Sequence, residues 1–393
     1  MARIITDLTI QKKPEKPEKQ EPESPIVEAR PPESPRPKKK SRKKKIIIAL
    51  IILLLLAAAI VVAFFLWPKE KKLEEVLPLP KKEEKVEANP FDTESSLNGV
   101  LTTKEIAMRR PIAVVIENHP DSRPQSGLDK TGLVYEAVTE GGITRFLAFF
   151  VENDLQEIGP VRSARTYTVK FADEYNAFYA HVGGNGDALA LIKELTSFYD
   201  LDEFGLGKFF WRDKKRYAPH NAYSSTDKLR EAAKSKKWDI NADYDKWLFK
   251  DEPKVEERGD GKKITIDFSS ASYKVDYYYD KDNNVYKRNL AGKEHVDKNS
   301  KQQIKAKTVI IQYAQSWLKP GETPKEGQST EIKNDGTGKA VIFMDGKKIT
   351  STWKKTSRKT RTKFFDENGD EIKFDRGPIW IEMATAGVQV TDN

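Results

Sequence analysis

The chain has 393 residues, with 69 Lys and Arg against 60 Asp and Glu, four His, no Cys and a formal net charge of +9. The absence of cysteine excludes disulfides, thiol catalysis, Cys-ligated zinc and a lipobox cysteine within this sequence. The charge is unevenly placed: residues 1–45 hold 14 Lys/Arg against 7 Asp/Glu and the remainder 55 against 53, so the folded part has no net-charge support for binding nucleic acid.

Residues 1–45 read as a disordered, basic cytoplasmic tail, because 11–37 is dominated by Pro, Glu, Lys and Ser and is too poor in apolar residues to bury a core. The run from Ile46 to Leu66 is 21 residues without a charge, followed by Trp67. At 1.5 Å per residue it spans the roughly 30 Å hydrocarbon layer, so 46–67 is expected to be a transmembrane helix. Seven cations in the eight residues 38–45 precede it and, by the positive-inside rule, hold the tail in the cytoplasm and send the rest of the chain across. A cleaved signal peptide fits less well. Its apolar core is usually shorter, and the one cleavage-like triplet, Ala57-Ala58-Ala59, lies inside the run.

Residues 68–107, with their Lys/Glu blocks and Leu77-Pro78-Leu79-Pro80, read as an extended linker. An α/β or α+β domain is expected over 108–250. Residues 111–116 form a continuous apolar, β-prone run, the pattern of a strand buried on both faces. The runs 133–137 and 146–151 flank a Gly-containing turn and read as a hairpin or two short strands. A helix is expected over 163–178 with Ser163 as its cap. A strand at 178–182, a helix at 187–195 after a Gly-rich turn, and a helix at 228–236 follow. Beyond 250 the pattern changes to short strands at 263–268, 273–279, 285–289, 308–313, 340–345, 347–354, 362–365 and 380–384. They are joined by turns such as Asp345-Gly346 and Asn368-Gly369, so 251–393 is expected to be a mostly antiparallel β domain.

Polar groups of the first domain collect where the chain leaves strands, which is where ligands bind in α/β sheets. Glu117 and Asn118, with His119, follow the first strand. His181 ends a later one, before Gly183-Gly184-Asn185-Gly186, whose backbone N–H groups can meet an anion at a helix start. The equally ready reading is a tight strand-to-helix turn, and no dinucleotide or P-loop fingerprint is present. Arg162 and Arg165, three apart at the expected helix start, oppose the helix dipole, and with Arg145 suggest a clamp for carboxylate or phosphate. Their alternative role is an internal salt-bridge network with Glu136, Glu140 or Asp173. His220 and Asn221 add a polar, aromatic segment. No HExxH or other metal spacing exists, so no metal and no cofactor is expected, and no residue stands out as catalytic.

Several ordered motifs carry a resemblance to a known family: Pro111 to Asn118, Arg123-Pro124-Gln125-Ser126-Gly127-Leu128, Glu140-Gly141-Gly142-Ile143-Thr144-Arg145-Phe146, Ile158-Gly159-Pro160-Val161-Arg162-Ser163-Ala164-Arg165 and Ala218-Pro219-His220-Asn221, with Thr352-Trp353-Lys354-Lys355 and Gly377-Pro378-Ile379-Trp380-Ile381 in the second half. Over residues 108–390 the chain resembles the YerB-like family of bacterial envelope proteins, made of the N- and C-terminal parts of domain of unknown function 3048. The resemblance implies a place in the cell envelope and no assigned activity. Lacking the lipobox cysteine of lipoprotein members, this chain is expected to use its helix as anchor in the plasma membrane, with the C-terminal domains extracytoplasmic.

The combined expectation is an extracytoplasmic binding or accessory module for a polar or anionic ligand, with a cell-wall component or an envelope protein as partner. Its candidate ligand-binding groups are Arg145, Arg162, Arg165, Glu117, Asn118, His181, Asn185, His220 and Asn221. The alternatives are a hydrolase or lyase using Glu117 or Glu140 with His181 or His220, and a purely structural scaffold.

Overall fold

The computed structural model describes residues 43–66, 91–320 and 328–393. The chain divides into two compact units, 1–84 and 85–393. In the first, α1 (Lys43–Leu66) is a 24-residue helix. Its side chains are described over 51–62 and are exposed on every side, Leu54 and Ile60 among them. Among the described residues no helix is long and apolar enough to cross a membrane; the expected 46–67 span falls on α1, whose side chains are described only over 51–62. Of the expected 1–45 tail, residues 1–42 lie outside the described residues and Lys43–Lys45 begin α1; most of the 68–107 linker also lies outside them.

The second unit is mixed α/β and becomes mostly β towards its C-terminus. Five strands, β1 (Ile112–Glu117), β2 (Leu133–Val138), β3 (Thr144–Phe150), β4 (Phe178–His181) and β5 (Tyr199–Asp202), come with three helices: α2 (Thr166–Asp173), α3 (Gly186–Glu194) and α4 (Thr226–Ser235). Then follow β6 (Lys263–Asp267), β7 (Lys274–Asp280), β8 (Val285–Leu290), β9 (Thr308–Tyr313), β10 (Gly336–Met344), β11 (Lys347–Lys355), β12 (Lys363–Phe365), β13 (Ile379–Ala384) and β14 (Gln389–Asp392).

Strands from both halves enter one ten-stranded sheet in the order β12-β11-β10-β9-β13-β2-β3-β1-β4-β5. The join is made by β13, which runs parallel to β9 on one side and to β2 on the other. β2, β3 and β1 are antiparallel neighbours, whereas β4 and β5 are added in parallel. All residues of β1, β3 and β13 are buried, which explains their near-continuous apolar sequences: both faces of the central sheet are covered.

Alternate residues of β1 separate to the two faces, because successive side chains of a strand point opposite ways. Ile112, Val114 and Ile116 pack with Leu229 and Ala233 of α4 and with Ile266, Val275 and Tyr277 of a second sheet. Ala113 and Val115 pack with Tyr167 and Phe171 of α2 and Ile192 of α3. The second sheet contains β8-β7-β6-β14 in that order. The hairpin turn Asp345-Gly346 between β10 and β11 falls where Asp-Gly predicts it, and only glycine fits: φ is +66° and a Cβ would lie 2.3 Å from the Tyr279 ring.

One element differs from expectation in a way that matters for the site. The helix expected over 163–178 is α2, Thr166–Asp173, so it starts three residues later. Ser163 and Ala164 are held extended instead, with the Ala164 N–H donating to Gly183 O at 2.8 Å. Arg165 takes the N-cap position and Thr168 closes back on its N–H at 3.0 Å. The helix ends early as Asn176 turns to φ +51°.

Candidate strand-end site

The chain at 158–164 forms a strap across the ends of β1 and β4. Its backbone is tied at each step: Glu117 N–H donates to Pro160 O (3.0 Å), Arg162 N–H to Val115 O (2.8 Å), Val161 N–H to Ala222 O (2.7 Å) and Val182 N–H to Arg162 O (3.0 Å). The strap therefore brings Arg162 to the end of β1 and Arg165 to the start of α2. Arg145 of β3 sits opposite Glu117 in the register.

The three expected arginines converge, each with different company. Arg162 Nε donates to Glu117 Oε1 at 2.8 Å. Arg165 grips Glu140 with two bonds of 2.6 and 2.7 Å, a bidentate pairing that pulls the Glu140 carboxyl down to about 2 despite burial. This pair is one of the internal salt bridges the sequence allowed for. Arg145 is 6% exposed; its Nη1 donates to Ser163 O at 2.9 Å, and among the described residues its Nε has no partner and no carboxylate pairs with it. Burial, and then the neighbouring Arg165, push its guanidinium down to about 10. The adjacent Tyr167 hydroxyl is also buried, with Thr139 beside it. A buried cation with an open Nε thus sits beside two further arginines.

On the other side of Glu117, its Oε2 accepts from His220 Nδ1 at 2.8 Å. The His220 ring stacks on His119, with centroids 4.7 Å apart and planes 18° off parallel. Both oxygens of Glu117 are thus engaged and its residue is buried, which makes it an orienting group for Arg162 and His220. Asn221 secures the loop behind His220 through Nδ2 to Arg216 O (3.2 Å).

The other expected residues sit apart from this group. His181 is fully buried with Nδ1 at 2.7 Å from Gly183 O and Nε2 at 2.7 Å from Asp200, so neither ring nitrogen is available to a ligand. Asn185 caps α3, its Oδ1 accepting from Ala188 N–H at 3.3 Å. Asn118 is buried, donating to Thr144 Oγ1 (2.7 Å) and accepting from Arg123 and Gln125 (both 3.0 Å). A surface cleft of about 540 Å³ lies elsewhere, at the carboxyl ends of β9 and β13, lined by Tyr313, Trp353 and Thr385 among others.

Asn118 leads into a polar network the sequence reading did not anticipate. Asn118 and Thr144 both donate to Glu136 Oε1, and Glu136 Oε2 pairs with Arg288 of β8, both side chains being fully buried. Arg288 lies 4.6 Å over the Trp380 ring and donates to the Tyr277 hydroxyl at 3.1 Å, which in turn donates to Glu382. Burial, and then the charge of Glu136, hold the Glu382 carboxyl well above its usual range. Burial, and then Arg288, hold His295 well below its own, and its Nε2 meets Gln125 Oε1 at 3.0 Å. The readable signal was a single glutamate inside each of two otherwise apolar strands, Leu133–Val138 and Ile379–Ala384.

This fold is one in which two sequence segments share a sheet, with a polar group at the strand ends. The chain belongs to the DUF3048 family: residues 97–239 match the segment described as "Protein of unknown function (DUF3048) N-terminal domain" and 264–381 the corresponding C-terminal domain. It is 30% identical over 293 residues to "Putative lipoprotein YerB" of Bacillus subtilis (strain 168), covering 73% of this chain and 85% of that protein. The crystal structure of YerB protein from Bacillus subtilis matches with a TM-score of 0.68 at 28% identity, covering 76% of this chain and 99% of that one.

Proposed function

We propose that this protein is an envelope protein tethered to the plasma membrane by the 46–67 helix, with 85–393 outside the cytoplasm. There it binds an anionic group, carboxylate or phosphate, at Arg145, Arg162 and Arg165. The observation that carries the binding reading is Arg145: a buried guanidinium with, among the described residues, an unpartnered Nε and no carboxylate, next to two arginines that each have one. The location is supported by the printed name of the Bacillus subtilis relative, a lipoprotein, and by the apolar, exposed α1 behind seven cations. A cell-wall component or an envelope protein that presents such a group is the natural partner. The Glu/His alternative has a geometric counterpart in the Glu117–His220 contact, but Glu117 is fully occupied there.

The test is calorimetric titration of the full chain in detergent with inorganic phosphate and with acetate. Saturable binding is expected, weakened at least tenfold, or about 1.4 kcal/mol, by Arg145→Gln and also by Arg162→Lys. No binding of either anion, or unchanged affinity in both variants, overturns the anion reading. A phosphatase reporter fused after Asn393 reads location separately, and activity only in the cytoplasm overturns that part.

A further inference from the structure

We propose a divalent transition-metal site, best matched to Zn²⁺, on His119, Asp121 and His220. It stands independently of the anion reading. The three residues are the group among the described residues whose ligand atoms come together, all within 4.8 Å of one another. They come from two loops 99 residues apart in sequence, so no local spacing advertised them.

Three features point to a cation. First, His220 Nδ1 faces the Glu117 carboxylate at 2.8 Å. A carboxylate only accepts, so Nδ1 carries the proton and Nε2 keeps its lone pair. Glu117 is in turn fixed by Arg162 at 2.8 Å. A carboxylate behind a histidine, setting its tautomer and ring angle, is the usual support of a metal-ligating imidazole. Second, His119 Nδ1 accepts the Asp121 backbone N–H at 3.2 Å, a bond that metal binding at this nitrogen would replace. This nitrogen lies 3.5 Å from Asp121 Oδ2. With Zn–N and Zn–O bonds of about 2.0–2.2 Å and tetrahedral angles, the expected N···O separation is about 3.4 Å. Third, the two imidazoles are neighbours with planes 18° apart, and because an imidazole binds a metal in its ring plane, one ring turns to bring its lone pair onto a shared ion.

Binding takes a ring rotation and an inward movement of Asp121. Ligand atoms around one ion lie at most about 4.2 Å apart at such bond lengths, and the Asp121 side chain is 73% exposed and free to swing inward. Arg216 Nη1 reaches the Asp121 carbonyl at 3.3 Å and holds the 119–122 turn in place. Two imidazole nitrogens and one carboxylate oxygen favour Zn²⁺, Co²⁺ or Ni²⁺ over Ca²⁺ and Mg²⁺, which take mostly oxygen. Three protein ligands leave a fourth position open towards solvent, as in zinc sites that bind water or a further ligand.

The untagged full chain in detergent, stripped with chelator, is titrated with Zn²⁺ against a chromophoric competitor and separately with Co²⁺ while visible absorption is followed. One metal per chain and the intense visible bands of four-coordinate Co²⁺ are expected. His119→Ala and Asp121→Ala, whose side chains do not support the strap, should keep the metal-free melting temperature and lose the bands. Glu117→Gln, acting through His220, should weaken Zn²⁺ binding 10- to 100-fold with the stoichiometry unchanged. Absence of stoichiometric binding, or binding that survives both His119→Ala and Asp121→Ala, overturns the site.

Discussion

Replacing Glu382 with glutamine should raise stability at neutral pH, and by an amount that depends on pH in a defined direction. Glu382 shares a dry pocket with Glu136 and one cation, Arg288. Its carboxyl is held well above 4.5 by burial, and then by Glu136. A carboxyl raised on folding contributes stability that is full below its unfolded value and is lost as pH rises towards its folded value. The wild type therefore weakens relative to Glu382→Gln as pH climbs from about 4.5, by about 1.36 kcal/mol per unit while the folded group stays neutral. Each kcal/mol of that gap reads as roughly 2–4 °C in melting temperature by the usual size scaling. The companion change Glu136→Gln leaves Arg288 without its ionised partner and should cost about 3–5 kcal/mol. Thermal and urea unfolding of the full chain between pH 4 and 8 reads both. A Glu382→Gln difference that is flat with pH would falsify the assignment of the neutral acid, as would a Glu136→Gln variant as stable as wild type.

Two further changes probe the strand-end region. Glu140, held down to about 2 by Arg165 once burial is overcome, contributes stability that is present above 4.5 and lost as pH falls through about 2. Glu140→Gln should therefore flatten acid unfolding between pH 4.5 and 2, by on the order of 1 kcal/mol after solvent screening; an unaltered acid limb in urea melts would contradict this. Gly159→Ala places a Cβ 2.8 Å from Ala222 O at φ +145°, which should destabilise by about 1–3 kcal/mol. Differential scanning calorimetry checks it, and an unshifted melting temperature counts against the strap geometry.

Elements with strong local periodicity were legible in the sequence. The run at 111–116, the hairpin around Gly141-Gly142, and the strands from 263 to 384 appear close to where their patterns place them. The convergence of Arg145, Arg162 and Arg165 was legible in its chemistry but not its geometry. The expected helix face does not exist, because the 158–164 strap is extended by bonds to β1 and to 182–184, partners distant in sequence. His181 and Asn185 look alike as polar groups beside glycines, yet long-range contacts make one a buried tie to Asp200 and the other a helix cap. The Glu136–Arg288–Glu382 network was hidden because a local window shows a charge in a strand and cannot show the cation 152 residues away that meets it.

The insertion of β13 between β9 and β2 has a consequence for how the protein is made. β2 ends at residue 138 and its neighbour begins at 379. Its hydrogen-bonding edge therefore stays unpaired until about 240 more residues have emerged. At about 5–20 residues per second, the interval is roughly 10–50 s. During it a largely apolar strand edge, broken only by Glu136, is open to pairing with any other chain. A nascent chain of this family therefore needs shielding until its end arrives, and a truncation that removes 379–384 should be an aggregating species rather than a smaller domain.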